Sequence, residues 1–140
     1  MTRRANSAGL VPGWNGSDLL YKALISTDIV NARDRMEIIG PVYNRNGDLL
    51  ATDSADFWDG SLIAPVTYNE FGTALVANTP FWTGSDFNGF CSSQNCLNWS
   101  ATTSQLSAVG FSSATNLWFN QAQLGCSQAR RLLGISPPSY

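Results

Sequence analysis

The sequence predicts an α+β domain with many short, mostly antiparallel strands, two helices and long loops. Short apolar runs recur along the chain and are separated by Gly, Asn and Pro turn signals, which is typical of short strands. The two segments with helical character lie close together near the amino terminus. Because the helices are grouped at one end and the strands occupy the rest, the pattern indicates α+β.

The amino-terminal quarter is predicted to contain both helices and one strand. Arg3 to Leu10 is the first predicted helix, which ends before a Pro-Gly pair. Tyr21 to Ile25 is compact, apolar and able to form a strand. Asp28 to Arg35 is the second predicted helix. Its first residue is a plausible N-cap, and Ile29 and Val30 are expected to face inward.

The clearest predicted hairpin follows these helices. Its strands are Ile38 to Tyr43 and Asp48 to Ala51. The turn between them is Asn44 to Gly47, where an Asn-Gly pair readily takes the positive φ of a tight turn. Two further extended runs are predicted at Ser61 to Tyr68 and at Thr73 to Val76.

The remaining segments are less regular. Asp53 to Gly60 is predicted to be a polar loop anchored by aromatic side chains. Another strand is predicted to end at Trp82 to Gly84, and Ser85 to Asn98 is predicted to be a long loop. A Ser/Thr-rich stretch then extends to Ser113. The sequence ARRLLGI at Ala129 to Ile135 predicts the final strand.

Composition argues against several classes of partner. Charged residues make up 13% of the chain, the net charge is −2 and the eight basic residues are scattered. We therefore expect neither nucleic acid nor an anionic membrane as partner. No apolar run approaches the ~18 residues that a membrane-spanning helix needs, so no membrane insertion is expected. The first residues carry charge without an apolar core, so no signal peptide is predicted.

Catalysis is not expected either. The chain contains no histidine, which removes the commonest general base and the commonest zinc ligand. The two glutamates and eight aspartates form no recognisable catalytic pair, and no G-x-S-x-G motif occurs. The sequence therefore predicts a protein that is not an enzyme.

Seven short segments occur in an order that resembles a known architecture. They are AGL, YKALIST, IVNARDR, PVYNRNGDLL, FWTGSDFNG, CLNW and GCSQARRLLGI. Together they resemble the endostatin-like branch of the C-type lectin-like fold. The nearest pattern is that of bacterial secreted or surface domains of unknown function with the order W-T-G…C-x-N-W…C. The resemblance implies one domain over residues 1–136, a tail at 137–140, and an extracellular, cell-surface or virion-surface location.

The three cysteines leave three single pairings open when only the residues are considered. The resemblance implies that Cys96 and Cys126 form the inner disulfide of the fold. Cys91 would then be a free thiol, either buried and idle or available to bridge to a partner chain.

The five tryptophans divide into two groups. The resemblance implies that Trp82 and Trp99 are core residues, and Trp118 is expected to be a core residue or a loop anchor. Trp14 and Trp58 lie in polar, Gly-containing loops. An exposed ring there could stack on a sugar or hold a protein partner, whereas a buried ring would anchor its own loop.

Calcium is the one cofactor that the resemblance keeps open. Sugar-binding members of the family hold it through acidic and amide side chains of the long loop, where this chain offers only Asp86 and Asn88. A second acidic set, Asp53, Asp56 and Asp59, could surround a cation or could cap local turns. The candidate ligand-binding residues are Trp14, Asn15, Asp53, Asp56, Trp58, Asp59, Asp86 and Asn88.

Two functions fit this sequence. The first is an extracellular or surface-displayed binding or adhesion module that recognises a glycan or a protein through its long loops. The second is a structural tip, capping or decoration domain of an oligomeric fibre, virion or surface assembly. The second function predicts association with further copies or other subunits through an apolar face containing Phe87, Phe90 and Phe111.

Overall fold

The computed structural model of the protein describes residues 6–11, 22–35, 38–69, 71–102 and 104–136, the first range by its backbone only. These ranges contain eight strands and three helices of one turn each, so the predicted α+β class is confirmed. The strands are β1 Asn6–Val11, β2 Lys22–Ala23, β3 Val42–Asn44, β4 Leu49–Ala51, β5 Pro80–Trp82, β6 Leu106–Phe111, β7 Ala122–Gly125 and β8 Arg131–Ile135. The helices are α1 Ala32–Arg35, α2 Ser54–Phe57 and α3 Cys96–Trp99.

The strands form one mixed sheet in the order β4-β3-β1-β8-β5-β6-β7, and β2 also pairs with β8. Two of its pairings, β1 with β3 and β5 with β8, are parallel. The other five are antiparallel, as the sequence predicts.

Strand β8 is the centre of this sheet. One of its edges pairs with β1, and its other edge is shared by β5 and β2. Gly134 thus lies between Gly9 and Ala23, and the neighbouring Leu133 and Ile135 are fully buried. The final strand predicted from the sequence is therefore confirmed. It joins β1 and β5 into one sheet by pairing with both.

The first predicted helix is wrong, because Asn6–Val11 is a strand. Its backbone pairs in register with β8, where Ala8 faces Ile135, and with β3, where Asn6 faces Val42. Hydrogen bonds to strands on both edges satisfy the backbone groups of this segment. These tertiary contacts outweigh its local helix propensity. The first residues of that prediction, 3–5, lie outside the described residues.

The second predicted helix is shorter than expected. Only Ala32–Arg35 is helical, and Asp28 does not cap it. The backbone N–H of Asp28 instead donates to Oδ1 of Asn98 at 2.9 Å. Ile29 and Val30 point outward, with Ile29 90% exposed, so their expected burial is wrong. The reason is that hydrogen bonds to the α3 region hold this segment as a bend.

The predicted hairpin is confirmed. Strands β3 and β4 flank the turn, and Oδ1 of Asn44 accepts hydrogen bonds from the backbone N–H groups of Asn46 and Asp48, each at 3.0 Å. Gly47 has a φ of +90°, a conformation that glycine adopts without steric cost. The register of this hairpin is therefore set locally.

An aromatic cluster fills the core. Phe57, Trp58, Phe81, Trp118 and Phe119 pack with tilted or edge-to-face rings, and the closest centroids are 4.8 Å apart. Four of the five are fully buried, including Trp118, which confirms its core assignment. In the described part of the chain, no helix is long and apolar enough to cross a membrane.

Trp82 and Trp99 lie outside this cluster. Their rings meet edge to face, 6.2 Å apart, and both are only partly buried. The guanidinium of Arg130 lies 5.3 Å from the centre of the Trp82 ring. The two residues thus form a smaller aromatic contact beside α3, and their assignment to the central core is wrong.

Candidate functional site

The acidic set of the α2 loop closes local turns. Oδ1 of Asp53 accepts from the N–H of Asp56 at 2.9 Å and caps α2, and Oδ2 of Asp56 accepts from the N–H of Thr52 at 2.8 Å. Oδ1 of Asp59 accepts from the N–H of Ser61 at 2.9 Å. The described residues contain no group of three or more acidic, His or Cys side chains placed to hold a metal ion. These carboxylates therefore behave as turn caps.

Trp58 anchors its loop from inside the domain. Its ring is 4% exposed and packs edge to face on Phe57 and Phe119. A Cβ at Gly89 would lie 2.6 Å from this ring, so the neighbouring loop can approach only as glycine. Stacking on a sugar is thus unavailable to Trp58. The other loop tryptophan, Trp14, and its neighbour Asn15 lie outside the described residues.

Asp86 and Asn88 belong to a tight turn that ends at Phe90, which we call the aromatic turn (residues 86–90). The N–H of Asp86 donates to the carbonyl of Phe90 at 2.8 Å, and the N–H of Gly89 donates to the carbonyl of Asp86 at 3.0 Å. Nη1 of Arg33 donates to the carbonyl of Asn88 at 3.3 Å. The turn is therefore closed internally and held from the α1 side.

Two phenylalanines project from the aromatic turn. Phe87 is 44% exposed and Phe90 is 42% exposed. The guanidinium of Arg33 lies 4.6 Å from the centre of the Phe90 ring, a cation–π distance. The aromatic turn consequently presents apolar rings next to a positive charge.

Asn95 joins the long loop to the Asp28 bend. It is 2% exposed, and its Oδ1 accepts from the N–H of Asn98 at 2.9 Å while its Nδ2 donates to Oδ1 of Asp28 at 2.7 Å. Asn98 in turn accepts from the N–H of Asp28. This closed set of hydrogen bonds fixes the two segments against each other.

Two buried serines, Ser26 and Ser85, connect the Asp28 bend to the long loop. The Oγ atoms of Ser26 and Ser85 lie 2.7 Å apart, and both residues are fully buried. Oγ of Ser26 also accepts from the N–H of Ala32 at 2.8 Å, and its carbonyl accepts from Nε1 of Trp99 at 2.7 Å. Ser26 thereby ties α1, α3 and the long loop to one point.

Helix α3 is a left-handed turn. All four residues from Cys96 to Trp99 have positive φ, between 52° and 66°. This conformation costs roughly 1–2 kcal/mol per residue for L-amino acids, so the surrounding contacts must hold it. The Cys96–Cys126 disulfide is present, as the resemblance implies, and it tethers the first residue of the turn. The turn projects Leu97 outward, 59% exposed.

Cys91 is a free thiol that is only partly exposed. Its backbone N–H donates to Oδ1 of Asn31 at 2.8 Å. Burial raises the pKa of the thiol, and the negative charges of Asp28 and Asp86 raise it further, against a weaker opposing effect of Asn95. The thiol is therefore protonated at neutral pH and is a weak nucleophile.

These elements carry four exposed apolar side chains, which we group under the name long-loop surface: Ile29, Phe87, Phe90 and Leu97. The segment from Asp28 to Arg33 connects its two halves, since Asp28 bonds to Asn98 and Arg33 lies over Phe90. Such a surface can bind a partner through apolar and cation–π contacts.

Sequence reasoning identified the loop and its phenylalanines but missed Ile29, Leu97 and Arg33. Asn95 and Asn98, on either side of Cys96, are the sequence signal for caps and left-handed backbone there, because asparagine favours both.

Replacing the buried Asn95 by alanine is expected to lower the free energy of unfolding by about 2–3 kcal/mol, since it removes a cap and the hydrogen bond to Oδ1 of Asp28. Urea unfolding measures this change. The exposed Asn116 provides the control, and Asn116→Ala should change stability by less than ~0.5 kcal/mol. Equal losses in both variants would contradict the assigned role of Asn95.

No protein-family model matches this chain, and no curated protein matches it in sequence. The α+β architecture, the Cys96–Cys126 disulfide and the long-loop surface are the features of the described residues that bear on function.

Proposed function

We propose that this protein is a non-enzymatic binding module, displayed in an extracellular or surface environment, that recognises its partner through the long-loop surface. The Cys96–Cys126 disulfide supports an oxidising compartment. The resemblance to C-type lectin-like domains supports recognition through long loops carried on a rigid sheet.

The observation that carries the proposal is the exposure of Phe87 and Phe90 on a turn that is fixed in place. Both rings leave apolar area in solvent, while Gly89 beside Trp58 and Arg33 at Asn88 hold the backbone of the turn. A fixed apolar surface loses little conformational entropy on binding. Aromatic and arginine side chains are also those that contribute most to protein interfaces.

The chemistry of the surface favours a protein partner. Its members are two aliphatic and two phenylalanine side chains, and the guanidinium of Arg33 lies over the Phe90 ring. A glycan is the other ligand class that the loops could serve, through stacking on Phe87 or Phe90.

A second candidate function is a structural domain of a larger assembly. It is favoured by a separate apolar surface on the loop before β5, where Phe71 is 81% exposed and Val76 is 83% exposed. Two apolar surfaces on one small domain fit a subunit with neighbours on more than one side. Phe111 is only partly exposed and belongs to β6.

Replacing Phe87 and Phe90 together by serine is expected to weaken partner binding by roughly 100-fold, since two anchors of the interface are lost. Binding is measured on arrays of extracellular proteins and glycans, with calcium and with a chelator, and we expect it to survive chelation. Phe71→Ser is the matched control and should leave binding within about twofold. If Phe71→Ser abolishes association and the double variant does not, the assembly function is favoured instead.

A further inference from the structure

A pocket of about 600 Å³ lies where β2, the Asp28 bend and β8 meet. It shares no residue with the long-loop surface. Its volume falls within the range of small-molecule sites in proteins. The described lining residues are Lys22, Ala23, Ile25, Val30, Arg35 and Leu132.

This lining combines aliphatic walls with two cations. Four of the six side chains are apolar, and the other two are a lysine and an arginine. None of the described lining residues is acidic. An apolar ligand without charge would leave both cations unused, and a small inorganic anion would leave the aliphatic walls uncovered.

The guanidinium of Arg35 is oriented before any ligand arrives. Its Nε–H donates to the carbonyl of Ile25 at 2.6 Å, and Ile25 itself lines the pocket. An arginine side chain has five N–H donors, and this hydrogen bond uses one of them. Lys22 is exposed at the same pocket. Arginine held in this way can bind a carboxylate in a fixed geometry.

We propose that this pocket binds a small organic carboxylate with an apolar body. The carboxylate takes hydrogen bonds from Arg35 and Lys22, and the apolar part covers Ile25, Val30 and Leu132. Octanoate has both features and serves as the probe. Octanamide has the same chain without the charge, and acetate has the charge without the chain.

The test uses the fact that Lys22 is the only lysine of the chain. Reductive methylation with ¹³C-formaldehyde keeps its positive charge and gives one lysine NMR signal besides the amino terminus. We expect octanoate to shift this signal saturably, with octanamide and acetate each at least about tenfold weaker, since each lacks one of the two contact types. Equal binding of octanoate and acetate would overturn the proposal.

Two variants locate the site. Val30→Asp places a like charge in the pocket and is expected to abolish octanoate binding, measured by calorimetry and by amide NMR shifts at Ala23. Should that variant unfold, Lys22→Gln is expected to weaken binding by roughly fivefold because one cation is lost. Arg45→Gln removes a charge from the exposed β3–β4 turn and is the control. Loss of binding in Arg45→Gln as large as in Lys22→Gln would show nonspecific charge attraction and would also overturn the proposal.

Discussion

Replacing Phe57 by alanine is expected to lower the free energy of unfolding by about 4 kcal/mol, because it removes a fully buried aromatic ring. Phe57 ends α2 and packs edge to face against Trp58 and Trp118, with ring centroids 4.8 Å and 5.1 Å away. The substitution therefore loses transfer free energy, leaves a cavity and removes two aromatic contacts. Because these neighbours are themselves large and tightly packed, little collapse can refill the space.

The same substitution at Phe71 provides the matched control. Phe71 is 81% exposed at the tip of its loop, so Phe71→Ala should change the free energy of unfolding by less than ~0.5 kcal/mol. Both are measured by guanidinium unfolding followed by tryptophan fluorescence and by circular dichroism. A loss below ~2 kcal/mol in Phe57→Ala would mean that the aromatic cluster is not the main core of the domain.

The parts of the fold that local chemistry determines could be predicted from the sequence. The hairpin at Asn44 to Gly47 is closed by its own side chains, and the capping role of Asp53 depends on residues within its own turn. Strand β8 has a compact apolar sequence. In the hairpin and the cap the deciding contacts lie near in sequence, whereas β8 is predicted from its composition although its partners β1, β2 and β5 are distant.

Strands β1 and β6 show why the rest could not be predicted. The sequence of β1 is short in β-branched residues, and it becomes a strand only because β3 and β8 pair with it. Strand β6 lies in the Ser/Thr-rich stretch, for which the sequence predicts no element, yet it pairs with β5 and β7. Its Gly110 is required because any Cβ there would overlap the Trp118 carbonyl and the Phe81 ring. The residues that pair with β1 and β6 or pack on them are distant in sequence, so local propensity does not predict these strands.

The candidate site divides in the same way. Asp86 and Asn88 were correctly placed in a loop, because a Gly-containing polar run predicts a turn. The exposure of Ile29 could not be foreseen, since helical spacing predicts burial, whereas the hydrogen bonds of Asp28 with Asn95 and Asn98 hold the segment as a bend. A binding surface made of loop side chains depends on contacts that bring separate loops together, and one sequence does not show them.

Replacing both Cys96 and Cys126 by alanine is expected to lower the free energy of unfolding by ~3–4 kcal/mol, since closure of a loop of this length restricts the unfolded chain. The two cysteines are 30 residues apart, and the loop between them contains all of β6 and β7. The folded state is affected too, because the disulfide tethers the left-handed α3 turn at its first residue. Amide hydrogen exchange should therefore accelerate most at residues 97–101.

Cys91→Ala supplies the control for this prediction, because the free thiol closes no loop. It should change the free energy of unfolding by less than ~1 kcal/mol. Mass analysis without reductant should find one disulfide and one free thiol in the unmodified protein, and only a free thiol at Cys91 in the double variant. Reduction of the unmodified protein should reproduce the loss seen in the double variant. If Cys91→Ala loses as much stability as the double variant, the disulfide is not what holds α3, and the rigidity of the long-loop surface would have to rest on Asn95 and Ser26 alone.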